Sequence, residues 1–486
     1  MSSVLLRQVR VVPLNGSGAA EPADVLIEDG FITAGAPIVQ SSGVPVVDGA
    51  GRWLVPGLWD AHVHLGQWAL ARRRLDLSHA SSPEDALALV GRAVRSGRLV
   101  VGTGHRAGTW PRPGTVAELD AVSGDVPVVL VNGDFHHGWL NTAALDAFGL
   151  ARRDTVVAEA EWFAAYPRVV ALEGAPSPAD YRRVLDAAAA RGVVGLVDFE
   201  FSAPWADWAE RWHQRCDLLR IRWSPYADQL DSVRRAGLRG GASLPGADDR
   251  LTVGSLKIIS DGSLGTRTAW CHDPYADTGG TGAPNLAGDE LAVLLAEGQR
   301  AGLSVATHAI GDRAIEVGLA AYAATGARGS IEHAQLTTSH AIAELARLRL
   351  TASVQPAHLL DDIQTAERVW PGRTGRCFAL RDMLDSSVTI AFGSDAPVAP
   401  LDPWLAIAAS VHRGEPSSDS WHPEQAITTA EAIAASTDGR SIAVGQPGDV
   451  ALLDSDPLAS DAEELRAMHV ALTCVAGRIV HSDLDT

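Results

Sequence analysis

Apolar and polar residues alternate along both ends of the chain, which is the pattern of strands with one buried face. The N-terminal end contains VLLRQVRVVPL, ADVLIEDGFITA and VPVVDGAGRWLVPG, and the C-terminal end contains GDVALLDSDP and HVALTCVAGRIVHS. Gly, Asn and Asp separate these runs, as turn residues do. Two β-rich ends around a different middle predict one small composite β-sandwich, built from residues 1–54 and 441–486.

The middle of the chain, residues 55–440, alternates apolar strand-like runs with helical stretches rich in Ala and Leu, as parallel β/α folds do. Eight runs are strand candidates: RWLVPGLWDAHVHL, GVVGLVDFE, LRIRWSPY, LTVGSLKIISDG, GLSVATHAIGD, GSIEHAQL, LTASVQPAH and VTIAFGSDAPV. Eight parallel strands can close a barrel, so we predict an α/β fold, a (β/α)8 TIM-type barrel. Residues 67–188 are too many for one crossover helix and contain two further strand-like runs, RLVVGTG and VPVVLVN. We predict that they form a long insertion over the barrel mouth.

Composition narrows the class of protein without identifying its chemistry. The 486 residues are 46% hydrophobic and 20% charged, which is typical of a folded globular protein. The net charge of −19 disfavours nucleic acid and anionic membranes as partners. The four cysteines have no CxxC spacing, and neither a signal-peptide pattern nor an apolar run of membrane-spanning length occurs. We therefore expect a cytoplasmic protein with a small-molecule substrate, no membrane or nucleic-acid partner, and a homodimer as the default oligomer.

Lys257 is the single lysine among the 40 basic residues, and all the others are arginine. Arginine serves in salt bridges at least as well as lysine, so charge alone does not explain why one amine is kept. An ammonium differs from a guanidinium because it can lose its proton and then act as a base or nucleophile. A neutral amine can also take up CO2 and become a carbamate, which is an anionic metal ligand. An accident of codon composition is the alternative explanation.

Several predicted strands carry metal-binding residue types near their carboxyl ends, where barrel enzymes place their chemistry. In chain order these residues are His62, His64, Lys257, His308, His333 and Asp395. Residues two apart on a strand share a face, so His62 and His64 can both point into the barrel. Four imidazoles and a carboxylate suit Zn2+ or a similar divalent ion, and a carbamate on Lys257 would bridge two such ions. Asp395 could then take the proton of a water molecule shared by the two ions.

Each of these residues has a simpler interpretation when it is taken alone. An HxH pair often consists of surface or core histidines, and His308 or His333 could be a hydrogen-bonded core residue. Asp395, in GSDAP, has the local sequence of a turn or a helix N-cap. Their joint position at the strand ends of one predicted barrel favours a common site over these separate interpretations.

Around these residues the chain resembles the amidohydrolase superfamily. More narrowly, it resembles the branch called amidohydrolase family 3, which includes N-substituted formamide deformylases. The matching segments are VPGLWDAHVHL, LKIISDGSLGTRTAW, THAIGDRAI, SIEHAQL, SVQPAH, GSDAPVAPLDPW and QPGDVALLD. The resemblance implies a metal-dependent hydrolase with a barrel and a small β-sandwich. It also implies two divalent metal ions, with Zn2+ as the expected metal, held as follows: His62 and His64 on the first ion, His308 and His333 on the second, carboxylated Lys257 as the bridge, and Asp395 as ligand and catalytic proton shuttle.

Substrate contacts are expected from positions outside this metal-binding set. The segment GDFHHGWLN resembles a family stretch of the insertion, in which His136 is the matching residue. Arg267 follows the turn after the fourth predicted strand and suits a substrate carboxylate or carbonyl, with a loop-ordering salt bridge as the alternative. Gln355 and His358, at the end of the seventh predicted strand, would face the pocket. Trp110 is a candidate for an apolar pocket wall.

The residues and the resemblance together predict a hydrolase of C–N bonds, in amides or N-substituted formamide-like compounds, that uses metal-activated hydroxide. A mononuclear deaminase, or a cyclic amide or ester hydrolase, is an alternative, although one metal needs no bridging Lys257. A non-catalytic metal-binding regulatory protein is another, although Asp395 would then have no water to deprotonate. The segment ARRDTVVAEAEWFAAYPRVV is shorter than the usual Gly-rich stretch of the family's insertion, a region expected to shape the substrate pocket.

Overall fold

Strands and helices alternate through the middle of the chain, as the apolar periodicity predicts, and the mixed α/β class is confirmed. The structure is a computed structural model, and it describes residues 3–14, 21–33, 43–94, 99–133, 135, 137–201 and 203–484. The chain divides into two compact units. The first comprises residues 1–64, 185–395 and 399–486, and the second comprises residues 65–184 and 396–398.

The strands of the described residues are β1 (Val4–Val11), β2 (Ala23–Glu28), β3 (Phe31–Thr33), β4 (Val46–Asp48), β5 (Trp53–Pro56), β6 (Leu58–Val63), β7 (Leu75–Asp76), β8 (Val100–His105), β9 (Val128–Asn132), β10 (His137–Leu140), β11 (Val157–Ala158), β12 (Val193–Asp198), β13 (Arg220–Trp223), β14 (Leu251–Val253), β15 (Leu256–Ile259), β16 (Val305–Ala309), β17 (Gly329–His333), β18 (Thr351–Val354), β19 (Thr389–Phe392), β20 (Val450–Leu453), β21 (Val470–Val475) and β22 (Arg478–Ser482).

The α-helices of the same residues are α1 (Leu65–Ala71), α2 (Pro83–Ala93), α3 (Val116–Ser123), α4 (Thr142–Ala147), α5 (Glu159–Glu173), α6 (Pro178–Ala189), α7 (Trp205–His213), α8 (Leu230–Arg235), α9 (Gly288–Arg300), α10 (Asp312–Thr325), α11 (Ser339–Leu348), α12 (His358–Val369), α13 (Leu380–Asp385), α14 (Pro403–His412), α15 (Thr429–Ala435) and α16 (Ala462–Arg466). Within the described ranges, no helix combines the length and the apolar character needed to cross a membrane.

Both ends of the chain contribute strands to one sheet of the first unit, in the order β22-β21-β20-β5-β1-β2-β3, with β4 paired to β1. Strand β1 changes partners along its length: Leu5 pairs with β2 and β4, whereas Arg10 and Val11 pair with β5. Between these points Gln8 has a φ of 53° and the register with β2 shifts, as at a β-bulge, which turns the strand. The boundaries of the predicted sandwich domain stay a prediction.

All eight strand candidates of the middle contain strands, and β6 and β12 to β19 pair in parallel within two sheets of the first unit. The start of the first candidate is β5, which belongs instead to the sheet of the chain ends. One sheet has the order β14-β13-β12-β6, and the other has the order β15-β16-β17-β18-β19. The predicted fourth strand is therefore two short strands, β14 and β15. The chain breaks at Gly254, whose amide donates to Trp223 O at 2.6 Å and where a Cβ would lie 2.5 Å from Ser224 Oγ.

Backbone hydrogen bonds connect the ends of these two parallel sheets. At one junction Lys257 N donates to Pro225 O at 2.8 Å, and at the other Asp395 N donates to His62 O at 2.7 Å. Both junctions involve residues of the predicted metal site, so the pairing of the sheets positions that site. Closure of the two sheets into one eight-stranded barrel stays a prediction.

The second unit contains the sheet β11-β10-β9-β8-β7, in which the runs RLVVGTG and VPVVLVN supply β8 and β9 as predicted. Apolar side chains of β8 and β9 alternate between two cores of this unit, so that Val129 and Val131 belong to one and Val128 and Leu130 to the other. The predicted insertion, residues 67–188, overlaps this unit in sequence. Its predicted position over the barrel mouth stays a prediction.

Candidate metal centre

The six predicted metal ligands lie on or directly after parallel strands of the first unit, and local contacts link them. Five of them are buried, with relative exposures of 9% or less, and His308 is half-buried. Among the described residues, ligand atoms of His62, His333 and Asp395 lie within 4.8 Å of one another. Two imidazoles and a carboxylate at this spacing suit a divalent transition-metal ion.

The carboxylate of Asp395 lies between the two histidines of the HxH pair. Its Oδ1 is 3.4 Å from His62 Nε2 and 3.3 Å from His64 Nε2. Lys257 Nζ is 3.1 Å from the same His62 Nε2 and lies 4.2 Å from the centroid of the Phe199 ring. The single lysine of the chain is thus buried against the proposed ligands, with an apolar ring on another side.

His308 and His333 adjoin this group through their rings. The ring centroids of His308 and His333 are 4.5 Å apart, and those of His333 and His62 are 5.1 Å apart. His308 Nε2 lies 3.3 Å from both Gly262 O and Asp261 Oδ1, at the start of the loop after β15. The structure therefore brings together all six residues predicted to bind metal.

Two of the proposed ligands have unusual backbone conformations. His333 has a φ of 69° and Asp395 a φ of 55°, in the left-handed region that a non-glycine residue rarely adopts. Such strain persists where the surrounding structure enforces it, and it concentrates at functional sites. Gly393 permits the close approach of β19 to β6, because a Cβ at this position would lie 2.6 Å from His62 N.

Glu332 directly contacts a proposed ligand and is not among the site residues predicted from the sequence. Glu332 is 1% exposed, and its Oε2 lies 2.8 Å from His62 Nδ1. If His62 donates its Nδ1 proton to this carboxylate, its Nε2 lone pair is free to face the cluster. Neighbouring residues of a regular strand point to opposite faces. The positive φ of His333 ends this alternation, so Glu332 and His333 both reach His62. The acidic residue directly before His333, within the predicted strand GSIEHAQL, was the available signal.

Asp60 is a second buried carboxylate that the sequence analysis did not single out. Its Oδ1 accepts hydrogen bonds from His62 N at 3.0 Å and from Ser394 N at 2.9 Å, and its Oδ2 accepts one from Ser394 Oγ. Burial raises the pKa of Asp60 to about 6, against the lowering effect of these hydrogen bonds. Asp60 therefore connects β6 to the residue that precedes Asp395.

Burial and mutual charge shift the pKa values of the cluster toward a ligand-competent state. Burial, and secondly the charge of Lys257, lower the pKa of His62 to about 4, and burial holds the pKa of His333 well below its usual value. Burial also lowers the pKa of Lys257 to about 8. Burial alone would raise the pKa of Asp395, but His62, His64 and His333 outweigh it and hold this pKa well below the usual range. Near neutral pH, His62 and His333 are therefore neutral and Asp395 is ionised.

Two of the five predicted substrate contacts adjoin the cluster. Gln355 Nε2 lies 3.5 Å from His62 Nδ1 and donates to Ser353 O at 3.3 Å. His358 Nε2 lies 3.3 Å from Ser394 O and 4.0 Å from Asp395 Oδ2. Both adjoin the proposed ligands, although Gln355 is only 1% exposed, and their roles as substrate contacts stay predictions.

The other three predicted contacts are placed differently. Arg267 forms an ion pair with Asp277 at 2.9 Å, which is the salt-bridge alternative considered from the sequence. Trp110 is buried in a core of the second unit, where its Nε1 donates to Ala80 O at 2.9 Å. His136 lies outside the described residues.

Comparisons with known proteins find relatives over nearly the whole chain. The sequence pattern of the amidohydrolase family matches residues 45–481. The chain is 26% identical to the protein YtcJ of Bacillus subtilis (strain 168) over 94% of this chain and 95% of that protein. It is 27% identical to the N-substituted formamide deformylase of Arthrobacter pascens over 89% of each chain. The crystal structure of an uncharacterized metal-dependent hydrolase from Pyrococcus horikoshii OT3 superimposes with a TM-score of 0.78 at 25% identity, covering 95% of this chain and 99% of that one.

Proposed function

Because this chain belongs to the amidohydrolase family, we propose that it hydrolyses the C–N bond of small amides, N-substituted formamide-like amides among them, with the help of bound metal. The observation that carries this proposal is the convergence of His62, His333 and Asp395 within 4.8 Å, on strands that are distant in sequence. The likeness to the N-substituted formamide deformylase of Arthrobacter pascens supports the choice of bond.

The donor set fits a pair of divalent ions, and Zn2+ is the metal we expect. The pair would be held by the six residues His62, His64, Lys257, His308, His333 and Asp395. His64 Nδ1 is buried and has no hydrogen-bond partner among the described residues, so this ring has a nitrogen available to a metal ion. Bound divalent ions would lower the pKa of water enough to supply hydroxide near neutral pH and would polarise the substrate carbonyl.

Lys257 would contribute to this site as a carbamate formed with CO2. Its amine is 2% exposed and lies 3.1 Å from His62 Nε2, so a carboxylate on Nζ would project among the imidazoles. The added negative charge would offset part of the positive charge of two metal ions in a buried site. Arginine at this position could not form the carbamate, which explains why one lysine is kept.

Asp395 would act as the general base and then as the general acid. Its carboxylate is held ionised between His62 and His64, where it can accept the proton of the attacking water. It would return this proton to the departing nitrogen as the C–N bond breaks, which yields a carboxylic acid and an amine. Glu332 would orient His62 throughout, and Gln355 and His358 would contact the substrate.

We further propose that the two parallel sheets of the first unit close into one (β/α)8 barrel. The hydrogen bonds from Lys257 N to Pro225 O and from Asp395 N to His62 O support closure at both junctions. In this arrangement residues 55–440 carry the barrel and its insertion, and residues 1–54 and 441–486 carry the sandwich.

The test begins with metal content. We expect about two equivalents of a divalent transition metal per chain in protein purified without chelators, measured by inductively coupled plasma mass spectrometry. A screen of small amides should then reveal hydrolysis that Asp395→Asn loses while it keeps a folded chain. Asp249→Asn, the same substitution at an exposed position, is the matched control. One equivalent would favour a mononuclear hydrolase, and no binding after incubation with metal and bicarbonate would refute the proposal.

A further inference from the structure

Three consecutive residues after β15, Ser260, Asp261 and Gly262, surround the chain at His308. Ser260 donates both its backbone N–H, at 3.2 Å, and its hydroxyl, at 2.5 Å, to His308 O. Gly262 O lies 3.3 Å from His308 Nε2. The backbone and the ring of this proposed ligand are therefore both held by the segment that follows the strand of Lys257.

Asp261 is the central residue of this segment, and its side chain is 0% exposed. Its Oδ1 accepts a hydrogen bond from Ile310 N at 3.1 Å, and its Oδ2 accepts one from Gly311 N at 2.9 Å. The same Oδ2 accepts a third from Trp270 N at 2.9 Å. Hydrogen bonds to a carboxylate are strong, and three of them hold this one in a single orientation. Asp261 thus fixes the residues directly after β16 to the end of β15.

Close backbone packing reinforces the same contact. A Cβ on Gly262 would lie 1.9 Å from Thr268 Oγ1, and a Cβ on Gly311 would lie 2.1 Å from Trp270 O. The loop after β15 and the start of α10 therefore approach each other more closely than a larger residue at either glycine would allow. A shift of His308 along its strand would require this whole contact to move.

The contacts of the His308 ring determine which nitrogen is available to an ion. His308 Nε2 lies 3.3 Å from both Gly262 O and Asp261 Oδ1. Both oxygens are acceptors, so the proton stays on Nε2 and the lone pair of Nδ1 is available. His62 has the reverse arrangement, because its Nδ1 is the atom that faces Glu332, at 2.8 Å. The buried carboxylates of Asp261 and Glu332 therefore act on different histidines.

We propose that Asp261 is a positioning residue for His308, and through it for the second of the two proposed ions. This inference rests on the proposed function, because it takes His308 to be a ligand of that ion. The two ions then have separate supports, Glu332 for the ion bound by His62 and Asp261 for the ion bound by His308. The alternative is a purely structural Asp261, which ties the loop to α10 and affects both ions alike.

Zinc binding to four proteins distinguishes these two roles: the wild type, Asp261→Asn, His308→Ala and the double variant. Each protein is freed of metal and titrated with zinc against a competing chromophoric chelator, in buffer with bicarbonate, which gives two stepwise affinities. We expect Asp261→Asn to weaken the step that His308→Ala weakens by roughly ten- to a hundredfold, and to change the other by less than about threefold. In the double variant Asp261→Asn should add nothing, because a residue that acts through the His308 ring has no effect without it.

Asp312→Asn is the matched control for the loss of a buried carboxylate in the same region. Asp312 is the first residue of α10 and is 4% exposed; it accepts a hydrogen bond from His272 N at 2.9 Å and pairs with Arg376 at 3.2 Å. Over the described ranges it forms no hydrogen bond or ion pair with the six proposed ligands. Asp312→Asn should therefore lower the free energy of unfolding in urea, as Asp261→Asn does, and leave both zinc affinities unchanged.

Ser260→Ala provides a milder test in case Asp261→Asn does not fold. It removes only the hydroxyl that donates to His308 O and keeps the backbone hydrogen bond. We expect it to weaken the same zinc-binding step by roughly three- to tenfold. Unchanged zinc binding by Ser260→Ala would then overturn the positioning role.

Failure of the positioning role and failure of the proposed function give different results. If the wild type binds two zinc ions, unchanged affinities in Asp261→Asn would overturn the positioning role and leave the proposed function standing. Equal weakening of both steps, or a further loss in the double variant, would also overturn it. A wild type that binds no second ion would refute both before any variant is compared. Selective loss of the His308 step in a protein that hydrolyses no amide would support the positioning role and count against the proposed reaction.

Discussion

Substitution of Lys257 by methionine or arginine should separate metal bridging from folding. Lys257 is 2% exposed, and its Nζ lies 3.1 Å from His62 Nε2. Methionine has a similar length and no charge, so Lys257→Met removes the amine and keeps most of the apolar packing. Lys257→Arg instead places a permanently charged and bulkier guanidinium in the same buried space.

The stability effect follows from the pKa of the amine. Burial lowers this pKa from 10.5 to about 8, and the difference corresponds to about 3 kcal/mol against the protonated form in the folded, metal-free protein. The unfolded chain binds the proton more tightly, so this cost is fully present below pH 8 and disappears as the pH rises toward 10.5. At pH 7 we therefore expect metal-free Lys257→Met to be more stable than the wild type by about 3 kcal/mol.

Arginine cannot release its proton to escape this cost, so Lys257→Arg should be the least stable of the three proteins. Chemical denaturation of chelator-treated protein, at pH 7 and at pH 10, measures these differences. A stability gain of Lys257→Met that does not shrink at the higher pH would refute the electrostatic reasoning.

Metal content gives the second half of the test. If carboxylated Lys257 bridges two ions, Lys257→Met should fold and yet bind one equivalent or less, with activity reduced by roughly a hundredfold or more. Carbon-13 NMR of wild-type protein incubated with labelled bicarbonate should show a carbamate signal that Lys257→Met lacks. Two metal equivalents and full activity in Lys257→Met would refute the bridge.

Four further changes test the candidate site and the packing of the first unit. Glu332→Gln should lower zinc affinity by roughly ten- to a hundredfold in chelator competition, because an amide no longer imposes one tautomer on His62. Gly393→Ala should destabilise the protein by roughly 1–3 kcal/mol in urea, because its Cβ would lie 2.6 Å from His62 N. Asp449→Asn should cost roughly 3–5 kcal/mol, because it removes the buried carboxylate 2.7 Å from the Arg220 guanidinium and leaves only exposed Asp249, at 3.8 Å. Metal-free protein should lose stability as the pH falls from 6.5 to 4, since the pKa of buried His62 is about 4 and the unfolded imidazole takes up its proton first.

Each of these predictions has a result that would contradict it. Unchanged zinc affinity in Glu332→Gln would mean that this carboxylate does not orient His62. A fully stable Gly393→Ala would mean that β19 and β6 are not in close contact, and a fully stable Asp449→Asn would mean that the Arg220 pair is not essential. For the pH series, a stability that stays constant between pH 6.5 and 4 would show that His62 is not buried in its neutral form.

The apolar periodicity and the residue types were enough to predict the strands and the residues that gather near their carboxyl ends. The runs that hold His62, Lys257 and His308 are strands as predicted, because alternation of side chains on a strand is a local property that each segment carries by itself. The single lysine and the histidines near the strand ends can be read directly from the sequence. The carboxyl ends of neighbouring parallel strands meet at one edge, so the assembly of these residues followed from the strand pattern.

The contacts that support the proposed ligands depend on tertiary packing and could not be predicted from the sequence. Glu332 lies 270 residues from His62 in sequence, and no local pattern distinguishes a carboxylate that orients a histidine from one that faces solvent. The break between β14 and β15 arises where Gly254 packs against another strand end, and the pairing of Arg267 with Asp277 is set by the fold of its loop. Local sequence determines which elements form, whereas the approach of distant side chains is decided by the packing of those elements.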